Sequence, residues 1–292
     1  MIVKKTILVL GSGGLLGSYF SNQQFELGWD VIFHSRSLDK LANADLEKMN
    51  ETSKMLDLIK PDIILNLAGI TSVDNCESFP NTAYLGNVKT LENVVSWIEY
   101  NKNQTQLIHI STDQVYDGLG PHDESMVSLK NYYAFSKYAG ELVAKRVNST
   151  ILRTNFFGKS TCSKRSSLTD WLYVNLKEGN DIQVFEDVKF SPLSMSTLFE
   201  VINKIIEHDL RGVFNLGSRD GMSKADFAFK FASSINLSSK NMYRCATTEV
   251  DFLKTYRPND MRLNSERIES HLNISLPALD DEIKKVAKEY TK

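Results

Sequence analysis

The sequence predicts an α/β fold in which a parallel β-sheet is covered by helices on both faces. Two observations lead to this prediction. Apolar runs of strand length alternate with helix-period segments through the first half of the chain. The strand candidates are apolar on both faces, as in Ile63-Ile64-Leu65, which is typical of parallel strands buried between two helical layers.

The predicted elements of the first half alternate strictly between strand and helix. The strands are predicted over Thr6–Leu10, Asp30–His34, Asp62–Ala68, Gln106–Ser111 and Thr150–Arg153. The helices are predicted over Leu15–Leu27, Met49–Ile59, Thr82–Tyr100 and Tyr132–Val143. Pro61 ends the second of these helices, because a proline ring does not continue a helical turn. This order predicts a doubly wound sheet.

The second half of the chain is less regular. An irregular loop is predicted over residues 158–167, and an amphipathic helix over Ser196–Glu207. A strand over Gly212–Leu216 is followed by a helix over Ser223–Ile235, with Ser223 as its N-cap. Ser275-Leu276-Pro277 opens a final helix. We therefore expect a first domain over residues 1–157 and a smaller C-terminal lobe over 158–292, with residues 190–220 crossing back to the first domain.

Composition and charge exclude several classes of function. The chain has 292 residues, a net charge of −2 and a pI near 6.2, so it offers no basic surface for nucleic acid. No run approaches the roughly 18 apolar residues of a membrane span. Cys76, Cys162 and Cys245 are too few and too far apart for a disulfide framework or a metal pair, and the histidines have no metal-ligand spacing. We expect a cytoplasmic protein without a membrane segment or a bound metal.

A glycine-rich turn lies between the first predicted strand and the first predicted helix. Its residues are Gly11, Ser12, Gly13, Gly14, Leu15, Leu16 and Gly17. A pyrophosphate needs a tight turn, a backbone with no Cβ in the way and helix N–H groups aimed at it. The GxxGxxG spacing of Gly11, Gly14 and Gly17 provides these features. The turn therefore predicts a Rossmann-type dinucleotide-binding domain over residues 1–157.

The end of the second predicted strand favours NADP over NAD. An acidic residue there would hold the ribose 2′-hydroxyl of NAD. Asp30 stands at the start of the strand, however, and Asp39 lies past its end. Ser35 and Arg36 occupy the position instead, where they can hold a 2′-phosphate by charge-assisted hydrogen bonds. We predict NADP(H) as the cofactor.

A hydroxyl, a phenol and an ammonium occur where hydride-transfer chemistry would use them. Tyr133 and Lys137 are four residues apart on a predicted helix and share one face. An ammonium close to a phenol favours the phenolate, so the tyrosine can exchange a proton near neutral pH. Thr112 follows the fourth strand, at the edge where open parallel sheets bind ligands. The chain also contains the pattern Tyr173-x-x-x-Lys177, but that pattern follows an irregular loop, and we set it aside.

These pieces together resemble the extended short-chain dehydrogenases/reductases, and among them the sugar-nucleotide reductases typified by dTDP-4-dehydrorhamnose reductase. The matching pieces span nearly the whole chain. They are the glycine turn, Asp45-Leu46, Asn66-Leu67-Ala68-Gly69 with Ser72-Val73-Asp74-Asn75-Cys76-Glu77, Ser111-Thr112-Asp113, Tyr133 with Lys137, Arg153-Thr154, and Arg257-Pro258 with Leu263.

The resemblance implies roles for individual residues. The implied catalytic residues are Thr112, Tyr133 and Lys137. The resemblance also implies cofactor contacts beyond the glycine turn and strand two. Asp45 and Leu46 would lie along the adenine, and Ala68, Gly69 and Ile70 would line the cofactor after strand three. Tyr133, Lys137 and Asn155 would lie near the nicotinamide. The expected substrate contacts are Thr112, Asp113, Phe156 and Arg257, the last through a nucleotide phosphate. Related reductases often carry Ser-Trp where this chain has Asn-Phe, so the identity of the sugar stays open.

One further departure separates reaction types. The 4,6-dehydratases that the chain resembles carry Asp-Glu after the threonine, whereas here Asp113 is followed by Gln114, and an amide cannot exchange a proton as a carboxylic acid does. We therefore predict NADP-dependent reduction of a nucleotide-linked 4-keto sugar, with residues 158–292 as the substrate-binding lobe. A sugar-nucleotide epimerase and a non-catalytic NADP-binding regulatory subunit stay open as alternatives. The expected partner is a nucleotide sugar rather than nucleic acid, and a homodimer stays open as the oligomeric state.

Overall fold

The computed structural model describes residues 5–23, 25, 28–36, 42–101 and 104–291. They form two units, each assembled from separate stretches of the chain. The first contains the described residues up to Ser111, together with Asn131–Leu152 and Ile205–Val213. The second contains Thr112–Lys130, Arg153–Lys204 and the described residues from Phe214 onward. The segment Thr112–Lys130, placed in the first domain from sequence, thus belongs to the second unit, which is comparable in length to the first rather than smaller.

The bounds of the elements are as follows. The strands are β1 (Thr6–Leu10), β2 (Asp30–Phe33), β3 (Ile63–Asn66), β4 (Gln106–Ile110), β5 (Ser149–Thr154), β6 (Phe156–Phe157), β7 (Ile182–Phe185), β8 (Lys189–Phe190), β9 (Leu193–Ser194), β10 (Gly212–Leu216), β11 (Met222–Ser223) and β12 (Met242–Cys245). The helices are α1 (Leu15–Ser21), α2 (Met49–Ile59), α3 (Val73–Ser78), α4 (Pro80–Tyr84), α5 (Thr90–Asn101), α6 (Tyr132–Ala144), α7 (Leu168–Glu178), α8 (Met195–Glu207), α9 (Lys224–Ser234), α10 (Glu266–Leu272) and α11 (Leu279–Ala287).

The main sheet has the strand order β10-β5-β4-β3-β1-β2. β1 pairs in parallel with β2 and β3, and the parallel pairing continues from β3 to β4 and from β4 to β5. The order reverses at β1, because β2 lies on one side of it and β3 on the other. A ligand crevice is expected outside the carboxyl ends of the strands at such a reversal. The predicted α/β fold with a doubly wound parallel sheet is confirmed.

The strands of this sheet form because their side chains are apolar on both faces. Leu8 and Leu10 of β1 and Ile64 of β3 are fully buried and join one hydrophobic cluster with Leu56 of α2 and Leu91 of α5. Removing a side chain of this size from water stabilises the fold by about 1.5–3 kcal/mol. The cluster therefore stabilises the packing of α2 and α5 against β1 and β3.

The helix predicted over Thr82–Tyr100 is interrupted by a π-helical turn. α4 is followed by π-helical residues Leu85–Lys89, and α5 then continues to Asn101. A π turn inserts one extra residue into a helical run and often occurs at functional sites. Periodicity over a long apolar segment does not reveal such an insertion, which here changes the face on which Asn87 lies.

The second unit has its own apolar core, formed by α7, α9 and α11 with the short strands β7 and β8. Ser223 is the N-cap of α9 as predicted, and its hydroxyl accepts a hydrogen bond from Asp226 N. The final helix begins later than predicted, at Leu279. The reason is that Arg219 N donates to Pro277 O and Leu279 N donates to Arg219 O, which keeps the chain extended through Ala278.

Two other features of the described residues bear on the sequence predictions. Residues 158–167 contain no helix or strand, in agreement with the predicted loop. α7 was not identified from sequence, although it has a capping box between Ser167 and Asp170.

In the part of the chain that the structure describes, none of the helices combines the length and the apolar character that a membrane crossing requires.

Candidate active site

The glycine turn sits at the reversal of the sheet and packs tightly on the loop after β3. Gly11 has a φ of +84°, and a Cβ at this position would lie 2.7 Å from Ala68 N. A Cβ on Gly17 would lie 2.4 Å from Gly11 O and 2.6 Å from Ser12 Cα. Only glycine fits at either position, because the opposing atoms are backbone. The turn therefore requires glycine at both positions, and their contact with a cofactor stays a prediction.

The middle of the turn is open. A Cβ on Gly13 would first meet Ser35 Oγ at 3.6 Å, and one on Gly14 would first meet Gly11 O at 3.4 Å. Gly14 is the N-cap of α1, whose first turn has no acidic side chain, so the first N–H groups of the helix, including those of Leu15 and Leu16, remain available to an anion. This cradle fits the pyrophosphate of a dinucleotide.

The end of β2 lies beside the turn. Ser12 Oγ donates to His34 O at 2.7 Å, and Ser35 adjoins Gly13. Burial lowers the pKa of His34, and the nearby charge of Arg36 lowers it further. Arg36 is exposed. Among the residues that the structure describes at this point, up to Arg36, a hydroxyl and a guanidinium occur without a carboxylate, and this pair fits a ribose 2′-phosphate better than a bare 2′-hydroxyl.

The segment predicted to follow the adenine is held in place by two side chains that hydrogen-bond its backbone carbonyls. His34 Nε2 hydrogen-bonds Ala44 O at 2.9 Å, and Asn93 Nδ2 donates to Leu46 O at 2.8 Å. The Leu46 side chain is buried in the apolar cluster of the first unit, whereas Asp45 is half-buried. Leu46 thus supports the wall of this region through packing.

The loop after β3 is fixed by two buried asparagines. Ala68 N donates to Asn66 Oδ1 at 3.1 Å. Ile70 N donates to Asn87 Oδ1 at 2.7 Å, and Asn87 Nδ2 donates to Ser136 Oγ at 2.9 Å. Asn87 therefore ties the loop to α6. Sequence reasoning missed this asparagine, because its role depends on the π turn.

Tyr133 and Lys137 lie on the buried side of α6, as the spacing predicted. Tyr133 packs in a small apolar cluster with Val73, Cys76 and Ala83. Lys137 Nζ donates to Ile110 O, at the end of β4, at 2.7 Å. Desolvation lowers the pKa of Lys137 to about 8, so the ammonium loses its proton more readily than a surface lysine would.

The second pattern, Tyr173 and Lys177, has a different setting. Tyr173 packs against Tyr290 with ring centroids 5.1 Å apart and lies at the edge of the second unit's core. Lys177 Nζ lies 5.8 Å from the centre of the Tyr173 ring. Tyr173 therefore packs against the second unit's core, and the choice of Tyr133 as the reacting tyrosine stays a prediction.

Behind Lys137 lie polar residues to which the sequence analysis assigned no role. Ser111 Oγ donates to Glu141 Oε1 at 2.5 Å, and both residues are buried. His109 Nδ1 contacts Asn66 Nδ2 at 3.1 Å. Burial holds the pKa of His109 well below its usual range, and the charge of Lys137 adds to this effect. Glu141 is one helical turn from Lys137, a spacing that the sequence itself shows.

Thr112 and Asp113 belong to the second unit. Thr112 is buried, and its hydroxyl caps a short 3-10 turn by accepting from Gln114 N at 3.2 Å. Asp113 is also buried and accepts from Asn155 Nδ2 at 2.8 Å. Burial raises the pKa of Asp113 to about 6, although Asn155 and the charge of Lys224 oppose the rise. The structure thus brings together Asp113 and Asn155, which the sequence linked only through family resemblance.

The remaining predicted substrate residues are also placed in the second unit. Phe156 lies in β6, opposite Leu193 of β9. Arg257 donates to Thr255 O at 2.9 Å, and its charge lowers the pKa of Lys224, although desolvation contributes most. Lys224 was not identified from sequence. The charge of Asp113 acts on Lys224 in the opposite direction and raises its pKa.

A cavity of about 670 Å³ opens in the second unit. Its lining includes the aromatic side chains of Trp171, Phe185, Tyr243 and Phe252, together with Lys224. Trp171, Tyr243 and Phe252 are exposed rather than packed in the core. Large aromatic faces beside a cation suit a ligand with a flat ring and an anionic group. Among the described residues, no group of three or more histidine, cysteine or acidic side chains could hold a metal ion.

Comparison with known proteins identifies relatives along the whole chain. A family model described as the RmlD substrate binding domain matches residues 5–292. The chain is 26% identical over 287 residues to a probable low-salt glycan biosynthesis reductase of Haloferax volcanii, covering 94% of this chain and 95% of that protein. It is 25% identical over 297 residues to the dTDP-4-dehydrorhamnose reductase of Escherichia coli, covering 97% of each.

Solved structures agree with these matches. The dTDP-4-dehydrorhamnose reductase of Bacillus anthracis, solved in complex with NADP, aligns with a TM-score of 0.89 at 25% identity, covering 98% of this chain and 100% of that chain. A dTDP-4-dehydrorhamnose reductase orthologue of Clostridium acetobutylicum aligns with a TM-score of 0.86 at 23% identity over 98% of this chain and 100% of that one. At 23% identity, the similarity to the Clostridium acetobutylicum protein shows a shared fold and nothing more.

Proposed function

The chain belongs to the RmlD substrate binding domain family, and from this premise we propose that it is an NADP-dependent reductase of a nucleotide-linked 4-keto sugar. The family resemblance expected from the sequence is confirmed, and the reductases of Escherichia coli and Bacillus anthracis are similar over nearly their whole length.

The observation that carries the proposal is the Tyr133–Lys137 pair. Both side chains are buried on one face of α6, and Lys137 is held by the carbonyl of Ile110 at the end of β4. A buried phenol with an ammonium one turn away is suited to proton transfer at a reacting oxygen. Tyr173 and Lys177 have the same spacing, but Tyr173 packs against Tyr290 and the Lys177 ammonium lies near the Tyr173 ring.

We assign the cofactor to the glycine turn. The open backbone of Gly13 and Gly14 accommodates a pyrophosphate, and Ser35 with Arg36 accommodates a 2′-phosphate. The structural relative from Bacillus anthracis was solved with NADP, which agrees with this assignment. When bound, the reduced nicotinamide supplies a hydride to the ketone carbon of the sugar.

The side chains of Tyr133 and Lys137 provide the proton transfer in this proposal. Tyr133 donates its hydroxyl proton to the ketone oxygen as the carbon accepts the hydride, and the product is an alcohol. Lys137 stabilises the phenolate that remains, until the phenolate takes a proton from solvent. Thr112 orients the ketone oxygen through its hydroxyl. Such positioned acid catalysis contributes about 10²–10⁴-fold to a rate.

The second unit supplies a nucleotide site. Lys224 and Arg257 bind the diphosphate, and the cavity with Trp171 and Tyr243 holds the base by stacking. The exposed aromatic residues support this assignment, because an aromatic face that is not packed in the core remains available to a flat ligand. The sugar lies toward Phe156 in this proposal.

Gln114 favours reduction over dehydration. Its Oε1 is buried and, in the described part of the chain, has no hydrogen-bond partner. An amide at this position cannot act as the second acid of an elimination. Asp113, whose pKa is raised to about 6, is therefore the one carboxyl group of the Asp113-Gln114 pair.

The test is a panel of nucleotide-linked sugars followed at the NADPH absorbance band. We expect net NADPH consumption with a 4-keto-6-deoxy sugar nucleotide and none with the parent hexose nucleotide. Release of a keto sugar from the parent hexose without NADPH consumption would identify a dehydratase. Interconversion of sugars without consumption would identify an epimerase. Binding of NADPH without turnover of any sugar would favour the regulatory-subunit alternative.

A further inference from the structure

The region behind Lys137 contains a buried polar cluster that the proposed mechanism does not use. Ile110 and Ser111 are consecutive residues at the end of β4. Ile110 O accepts from Lys137 Nζ at 2.7 Å, and Ser111 Oγ donates to Glu141 Oε1 at 2.5 Å. Two successive residues of the strand end are therefore tied to two successive turns of α6. Thr112 follows them directly in the chain.

The burial of this cluster is costly unless its charges compensate each other. Lys137 and Glu141 are both on the buried side of α6, and Glu141 is fully shielded from solvent. The two side chains are four residues apart and project from the same face. A buried carboxylate one turn away from a buried ammonium offsets part of the desolvation cost of both ions.

We infer that Ser111 and Glu141 are positioning residues that keep the Lys137 side chain charged and aimed at the end of β4. This inference rests on the proposed role of Lys137 in the reductase reaction. Glu141 acts through its charge, and Ser111 acts by holding the Glu141 carboxylate in place. Neither residue contacts the reacting atoms.

The surroundings of Lys137 support this division of roles. Desolvation lowers the pKa of Lys137, whereas the charges of Glu141 and Cys76 raise it. Burial raises the pKa of the Cys76 thiol to about 11, so this group is neutral near pH 7 and provides no charge there. Burial holds the pKa of His109 well below its usual range, so this ring is neutral at pH 7. Glu141 is therefore the countercharge for Lys137 among these neighbours at neutral pH.

The first experiment measures the protonation of Lys137 directly, in the absence of any substrate. The protein is produced with lysine labelled with ¹³C at Cε, and the Lys137 resonance is assigned by its loss in Lys137→Met. In the wild type, we expect a titration midpoint of about 8. Glu141→Gln keeps an oxygen for Ser111 but removes the charge, and we expect it to lower the midpoint by about one pH unit or more.

Matched variants distinguish the effect of the Glu141 charge on the Lys137 midpoint from nonspecific effects of a substitution on the fold. Glu99→Gln removes the same charge from an exposed ion pair with Arg146, and it is expected to leave the Lys137 midpoint unchanged. Ser111→Ala keeps the Glu141 charge but removes the hydrogen bond from Ser111 Oγ to Glu141 Oε1, so we expect a smaller shift in the same direction, and Ser111→Thr should restore the wild-type midpoint. An equal midpoint in the wild type and Glu141→Gln would overturn the inference. If Glu141→Gln does not fold, an unchanged Lys137 midpoint in Ser111→Ala would overturn the inference instead.

The second experiment uses the reductase assay. The alkaline limb of the kcat/KM profile should move to lower pH in Glu141→Gln, and kcat at pH 6.5 should recover toward the wild-type value, within about threefold, because Lys137 is then charged again. A residue with a merely structural role would lower activity at every pH without moving the limb. If the wild type reduces no sugar nucleotide, the proposed function fails, and the titration of Lys137 still decides whether Ser111 and Glu141 control its charge.

Discussion

Replacing glycines in the turn after β1 should separate folding from cofactor binding. In Gly17→Ala, the new Cβ would lie 2.4 Å from Gly11 O, so the backbone must move by roughly 0.6 Å to reach even a 3.0 Å contact. That movement disturbs the hydrogen bond from Gly14 N to Gly11 O. Overpacking of this kind costs about 1–3 kcal/mol and a disturbed hydrogen bond about 1 kcal/mol more, whereas alanine regains up to about 1 kcal/mol in a helix. We expect a net loss of about 1–4 kcal/mol.

The matched control is Gly13→Ala, in the same turn. Its Cβ would meet nothing closer than 3.6 Å, so we expect an unchanged melting temperature but at least tenfold weaker NADPH binding, because the methyl group occupies the space proposed for the pyrophosphate. Gly17→Ala should lower the melting temperature by roughly 2–16 °C. Thermal unfolding and NADPH fluorescence titration measure both effects. Equal melting temperatures for the two variants would refute the packing argument, and unchanged NADPH affinity in Gly13→Ala would refute the placement of the cofactor.

Three further predictions concern the reaction. Tyr133→Phe should reduce kcat by about 10²–10⁴-fold with little change in NADPH affinity, whereas Tyr173→Phe should retain wild-type turnover; the reverse result would show that the wrong tyrosine was chosen. Arg36→Ala should weaken NADPH binding about tenfold or more and leave NADH binding unchanged, and equal affinity of the wild type for both cofactors would contradict the NADP assignment. Because Lys137 is charged below its pKa of about 8 and neutral above it, kcat/KM should be level below this pH and fall about tenfold per pH unit above it, and a profile that stays level to pH 10 would argue against the role of the ammonium.

Much of the first unit could be predicted from sequence because its determinants are local. The bounds of β1 and α2 agree with the prediction residue for residue, since each is an uninterrupted periodic segment bounded by a glycine, proline or charged residue. The predictions for the helix after β3 and for the final helix were less accurate. A π turn and an extended pairing with Arg219 decided those bounds, and neither leaves a periodic trace in the sequence.

The candidate site divides in the same way. Gly11, Gly17, Tyr133 and Lys137 were predicted from spacing, because their proposed roles depend on a turn or on one helix face. Lys224 was missed, since the sequence around it is that of an ordinary helix start after the N-cap Ser223. Its relation to Arg257 and to the cavity arises from segments that are distant in the sequence.

The sequence by itself determined the strand–helix order, the glycine turn, the paired tyrosine and lysine, and the absence of a carboxylate at the end of β2. All of these depend on the intrinsic geometry of neighbouring residues. The tertiary structure alone decided which carbonyl holds Lys137, that Ser111 binds Glu141, and that Asn155 binds Asp113. Such contacts join residues from 27 to 42 positions apart, and burial, rather than local propensity, makes an unpaired polar group there too costly to leave unsatisfied.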